Sequence, residues 1–190
     1  WKAKIEPPNG LKADQRQRRY KDLIEKDKEL CLGSYCFLWG QKQESTATWH
    51  GMFLSNGNPT EAVDVMQFCW TGKWPESRAP SIRDISLENV GWKKDHILAP
   101  STQATLKIEF SKYNNTEVIV EYVLYPEAFS NKIGGDIQKS PDPLNFEILN
   151  QNDNELTFVT PKSKGAYRMF AFVKNKRGQS SVANIPFLVK

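Results

Sequence analysis

Four tryptophans, Trp39, Trp49, Trp70 and Trp74, fall between residues 39 and 74, beside Tyr35, Phe37, Phe53 and Phe68. An indole offers a broad apolar face with a polar edge, and the slightly positive C–H faces of sugar rings stack on such π-systems. Between the first two tryptophans runs Gln41-Lys42-Gln43-Glu44, and His50 follows Trp49. Amides, an ammonium and a carboxylate at that position can hydrogen-bond hydroxyl groups. Trp39, Gln41, Glu44 and Trp49 are therefore the candidate ligand-binding residues. Packing is the simpler role for Trp70, on a helix stripe, and for Trp74, beside Pro75.

Hydrolysis of a glycosidic bond needs two carboxyl groups flanking it, ~5–9.5 Å apart. The acids near Glu44 are Glu61 and Asp64. Glu61 reads as a helix-capping residue, and Asp64 as a first-turn acid favoured by the helix dipole. A lone Glu44 makes no hydrolytic site, so no catalytic residue is assigned. Nucleophile elbows, phosphate-binding glycine loops and HExxH are all absent. The spacing of Cys31, Cys36 and Cys69 matches neither a disulfide framework nor a zinc pattern, and His50 and His96 are the only histidines. Metal and cofactor sites are not expected, and the cysteines should pack as small apolar groups.

The elements that would position these residues fall into two regimes. Pro7, Pro8 and Gly10 mark an extended start, and a narrowly amphipathic helix follows from about Leu11 to Asp27, with Tyr20, Leu23 and Ile24 on its apolar stripe. Leu30 to Trp39 is apolar at nearly every position, the pattern of a strand covered on both faces in a parallel sheet. A second helix has Asn58 as N-cap, Pro59 at its first position, Glu61 completing a capping box, and Gly72 as its stop. Helix, buried strand, loop, helix is an α/β rhythm, yet one parallel-type strand needs sheet neighbours from elsewhere.

From Pro80 the period changes to two. Ile82, Ile85 and Leu87 begin a strand region that ends near Gly91, and Ala104–Phe110 and Val118–Tyr125 read as strands. Shorter ones follow at Asn145–Leu149 and Glu155–Val159, and clear ones at Ala166–Val173 and Ser181–Val189. About seven short strands at this spacing indicate an immunoglobulin- or fibronectin-III-like β-sandwich over residues 80–190, without the Cys-Trp-Cys hallmark of antibody domains. Residues 129–143, with Gly134, Gly135, Pro141 and Pro143, form a long loop, part of which (Asp136 to Asp142) could meet a partner. Asn114-Asn115-Thr116 is a formal glycosylation sequon that also suits a hairpin turn. The expected fold is thus mostly β, a sandwich preceded by a small helix-strand-helix segment at 1–79.

Composition narrows the function classes. The charge is +4, but Arg16, Arg18, Arg19 and Lys21 are interleaved with Asp14, Asp22, Glu25, Asp27 and Glu29. That mixture suits a solvated helix rather than a phosphate-binding stripe, so nucleic acid is not an expected partner. No stretch reaches the ~18–20 apolar residues of a membrane span. A chain opening on Trp1 rather than Met reads as a mature or trimmed fragment.

The segments CLGSYCFLWGQKQESTATWHGMFL and TEAVDVMQFCWTGKWPESRAP resemble the end of a glycoside-hydrolase-like (β/α)₈ barrel. The tail GAYRMFAFVKNKRGQSSVANIPFLV resembles the Ig-like module that follows such barrels in polysaccharide-using bacteria. The resemblance implies a terminal barrel segment at 1–79, with Trp39 as a sugar platform and Gln41 and Glu44 beside it, and an accessory sandwich at 80–190. It implies a secreted, periplasmic or cell-surface location. The implied partners are a poly- or oligosaccharide and the remainder of the barrel, whose catalytic carboxylates would come from earlier strands. A barrel needs ~200 or more residues, so this chain would be the C-terminal, non-catalytic portion of a carbohydrate-active protein. The alternative is a self-contained Ig-like binding or adhesion module with residues 1–79 as a cap.

Overall fold

The computed structural model describes residues 1–129 and 137–190; Gly134, Gly135 and Asp136 of the anticipated loop lie outside them. The chain is mostly β, with two α-helices and two sheets among the described residues. The strands are β1 (Ser81–Leu87), β2 (Val90–Gly91), β3 (Ile97–Leu98), β4 (Gln103–Ser111), β5 (Val118–Pro126), β6 (Ile148–Gln151), β7 (Glu155–Val159), β8 (Gly165–Asn175) and β9 (Ser180–Val189). One sheet runs β2-β1-β4-β7-β6 and the other β3-β9-β8-β5. Pairings are antiparallel except β3 with β9, where Ile97 lies opposite Leu188.

A single core fills the space between the sheets, as in a β-sandwich. Period-two alternation puts Ala104, Leu106 and Ile108 of β4 inward, with Ile82, Ile85 and Leu87 of β1 and Leu156 and Phe158 of β7 beside them. Facing them are Val120, Tyr122 and Leu124 of β5, Tyr167, Met169, Ala171 and Val173 of β8, and Ala183, Ile185 and Phe187 of β9. Complete burial of one such large side chain contributes about 1.5–3 kcal/mol. β8 and β9 lack polar alternation because their outer faces are covered too: Leu54 packs on Phe170 and Val182 there.

Residues 1–79 pack on that outer face and on the neighbouring β1. Helix α1 spans Asn9–Tyr20 and opens into a wider π-type turn at Lys21–Glu25. Its buried residues are Asn9, Gly10 and Ala13, whereas Leu23 of the anticipated stripe is 70% exposed. The helix buries its small residues because its first turn lies directly on β1. A Cβ on Gly10 would run into Ser81 Oγ and would meet the Ile82 carbonyl oxygen at 2.6 Å.

Helix α2 is Glu61–Thr71, and Gly72 ends it in a left-handed conformation (φ 71°), its N–H bonding the Phe68 carbonyl. The start differs from the capping box anticipated at Asn58. Asn58 Nδ2 donates to Ser180 Oγ, and the Ser180 N–H bonds the Pro59 carbonyl, so this stretch is drawn out along β9 and the helix begins only after Thr60.

The largest departure concerns residues 30–39. No strand forms there; the segment runs in turns and extended coil. Leu30, Leu32 and Tyr35 are 84%, 103% and 104% exposed, and Phe37 and Trp39 are also exposed. A strand apolar on both faces needs ladder partners at its edges and covers on its faces, and no described residue supplies them. The bracketing helices are present; the strand between them is not.

Candidate functional site

Trp39, Gln41, Glu44 and Trp49 lie on one irregular stretch, but their side chains go to different places. Trp39 stands against α2, edge-on to Phe53 (5.3 Å between ring centres) and tilted 35° over Trp70 at 5.7 Å. Both indoles are about half exposed, so Trp70 is half of an exposed aromatic pair rather than a core residue. Trp74 stacks on Phe68 at 4.4 Å and receives the Arg78 guanidinium on its face, 3.9 Å from the ring centre.

Glu44 and Trp49 share His50 as a neighbour. Glu44 Oε2 accepts from Lys42 Nζ at 2.6 Å, Oε1 lies 3.3 Å from His50 Nε2, and the indole of Trp49 meets the imidazole edge-on. The hydrogen bond from the Lys42 ammonium, reinforced by His50, holds the Glu44 carboxyl below the usual range. An acid so ionised at neutral pH is unsuited to donate a proton to a leaving group.

Gln41 faces a hollow of ≈ 320 Å³ between the 41–48 loop and the outer face of the second sheet. Its Nε2 donates to the Ala47 carbonyl at 3.1 Å. Gln43, also on that wall, accepts from the Ser140 hydroxyl. The floor is Tyr125 and Phe172, with Phe170 beneath them. Neither Trp39 nor Trp49 lines this space. The four anticipated residues are therefore neighbours in sequence but not one site.

Beneath the hollow is a polar network that sequence reading did not find. Arg168, 3% exposed, makes a bidentate pair with Glu127 (2.9 and 2.8 Å) and donates to Asn184 Oδ1 and the Lys4 carbonyl. Asn184 in turn donates to Glu6 Oε2 at 2.6 Å, and Glu6 also takes Lys12, Thr46 and Thr48. Burial alone would raise the Glu6 carboxyl, but the Lys12 ammonium and the bonds from Lys12, Thr46 and Asn184 outweigh it and hold Glu6 low. At Glu127 burial prevails over Arg168 and the carboxyl is raised. A detectable signal was Arg168 within the apolar run Tyr167–Val173, since a cation there must be paired.

The two acids assigned to helix-end roles are also buried. Glu61, 2% exposed, takes Tyr113 and Arg78 on Oε1, while its Oε2 has no partner. Asp64 Oδ2 accepts the Ala79 N–H at 2.7 Å. These bonds tie α2 to the start of β1 and to the turn after β4. Among the described residues no group of three His, Cys, Asp or Glu could hold a metal ion, and no helix is long and apolar enough to cross a membrane. The three cysteines are free and half-buried, Cys36 Sγ lying 3.2 Å from Arg16 and 2.9 Å from Met52 Sδ.

No protein-family model matches this chain, and no curated protein sequence matches it.

Proposed function

We propose that this chain is the C-terminal, non-catalytic portion of a carbohydrate-active protein, in which residues 1–79 close a (β/α)₈ barrel and the sandwich braces it. The observation that carries this reading is the segment 30–39, where five large apolar side chains stand exposed between two packed helices. Burying such a row against sheet neighbours and a covering layer would stabilise it by several kcal/mol. An outer-helix, inner-strand unit whose neighbours are supplied by more of the same protein accounts for both its composition and its exposure. Within the assembled barrel Trp39 would stand at the strand's carboxyl end, where ligands sit in such folds, as a platform for a sugar ring. The strand order supports an immunoglobulin-type brace: β1-β4-β7-β6 facing β9-β8-β5 corresponds to the ABED and GFC sheets of that fold.

Hydrogen exchange tests the barrel reading. In the full-length gene product the amides of residues 30–39 should exchange far more slowly than in this chain, because a ladder protects them. Equal exchange in the two would remove the barrel and leave the rival, a self-contained binding module. The bonds from Lys4 and Glu6 to Arg168 and Asn184, which weld the first residues onto the sandwich, favour that rival.

A further inference from the structure

We propose that the outer face of the second sheet carries a cleft for a neutral oligosaccharide, separate from Trp39. Alternation along β8 and β5 sends Tyr122 and Met169 to the core and Tyr125, Phe170 and Phe172 to the opposite face. Phe170 and Phe172 stack with rings nearly parallel (8°), and Tyr125 meets Phe170 edge-on at 5.4 Å.

The ≈ 320 Å³ hollow beside Gln41 is continued by a second of ≈ 230 Å³ toward Asn56 and Lys174. The two share Leu54, Ser55, Tyr125 and Phe172, so together they make one trough with a half-buried aromatic pair at its middle. Each hollow is at or below the lower end of the ~300–1,000 Å³ typical of ligand sites; joined, they suit a short chain rather than a compact ligand.

Charge and hydrogen bonding identify the occupant. Among the described residues that line the larger hollow the one charged side chain is Arg168, and it is matched by Glu127 and bonded to Asn184 and the Lys4 carbonyl. The hollow's other polar groups are amides and hydroxyls, set among Pro126, Pro141 and Pro143. Gln41 is anchored through Nε2 and Gln43 through Oε1, which fixes the plane of each amide and the direction of its other polar atom. At the far end Glu121 and Lys174 oppose one another in sign. Among the described residues lining the larger hollow an acidic polymer finds no unpaired cation, and a purely apolar ligand would leave the amides unsatisfied. A neutral sugar chain offers apolar ring faces to the aromatic pair and hydroxyl edges to the rim.

The test is an amide-resolved NMR titration of the whole chain with cellohexaose, xylohexaose and mannohexaose, and with hexagalacturonate as the acidic counterpart. One neutral hexasaccharide should shift the amides of β5, β8 and the 41–48 loop in a saturable way. Tyr125→Ala should weaken that binding about tenfold or more, and Gln41→Ala several-fold. Tyr125→Phe keeps the ring face and should bind nearly as the parent does, separating loss of the ring from loss of the fold. No saturable shift up to about 10 mM, or tighter binding of hexagalacturonate, overturns the cleft. So does binding lost in Trp39→Ala but kept in Tyr125→Ala, an outcome that leaves the Trp39 platform standing.

Discussion

Asp64 shows how far a residue's environment can depart from what its position in a helix suggests. Burial raises its carboxyl from 3.8 to about 6, against the opposing pull of the Ala79 N–H and Arg78. A folded pKa above the unfolded one means that the folded chain binds the extra proton. The associated stability is fully present below pH 3.8 and is lost as pH rises through about 6. Asn mimics the protonated form and still accepts the Ala79 N–H through Oδ1. Asp64→Asn should therefore be at least as stable as the parent at pH 7. Its advantage in unfolding free energy should grow by roughly 2–3 kcal/mol between pH 4 and pH 7, measured by urea titration at each pH. Comparing the two proteins cancels Glu61 and Glu127, also raised by burial, and Glu6, which is held low. At this scale the sequence was least legible. Local pattern cannot tell an exposed first-turn acid from one lying beneath a returning chain, and the returning residues, Arg78, Ala79 and Tyr113, are up to 52 positions away.

Elements were easier to read where one periodicity governed them. The inward residues of β4 and β5 follow from strict alternation, and Gly72 stops α2 because its φ of 71° suits a residue without a Cβ. The two-residue strand β3 carries no period at all, so it was invisible, whereas β2 falls at the end of the strand region read from Ile82 to near Gly91. The apolar run of residues 30–39 was misread for a different reason: composition reports what a segment would bury, not whether its cover is present. Helix α1 was placed correctly but turned wrongly, because its contact with β1 uses the smallest residues. Gly10→Ala tests that contact. The new methyl must displace the Ile82 backbone, and overpacking of this kind costs about 1–3 kcal/mol. The melting temperature should fall accordingly, and Arg83, which donates to the Gly10 carbonyl and pairs with Asp14, should lose its hold on α1.

For the whole molecule, the exposed segment 30–39 should govern behaviour in solution more than stability. Contiguous apolar surface of this kind promotes association. Replacing Leu30, Leu32 and Tyr35 together by Ser should leave the unfolding free energy within about 0.5 kcal/mol per site, since none of the three is buried. It should also shift the parent toward monomer in sedimentation velocity at high concentration. An unchanged association constant would place the sticky surface elsewhere. The Glu6 network bears on the order of events in folding. Glu6 reaches Asn184 across 178 positions, and Lys4 meets Arg168 across 164. The N-terminal wrap thus precedes β8 and β9 in the chain, yet part of its seat exists only after they have left the ribosome. Until then Glu6 has Lys12, Thr46 and Thr48 of the same wrap but lacks Asn184. The network around Glu6 is therefore complete only once β8 and β9 are in place.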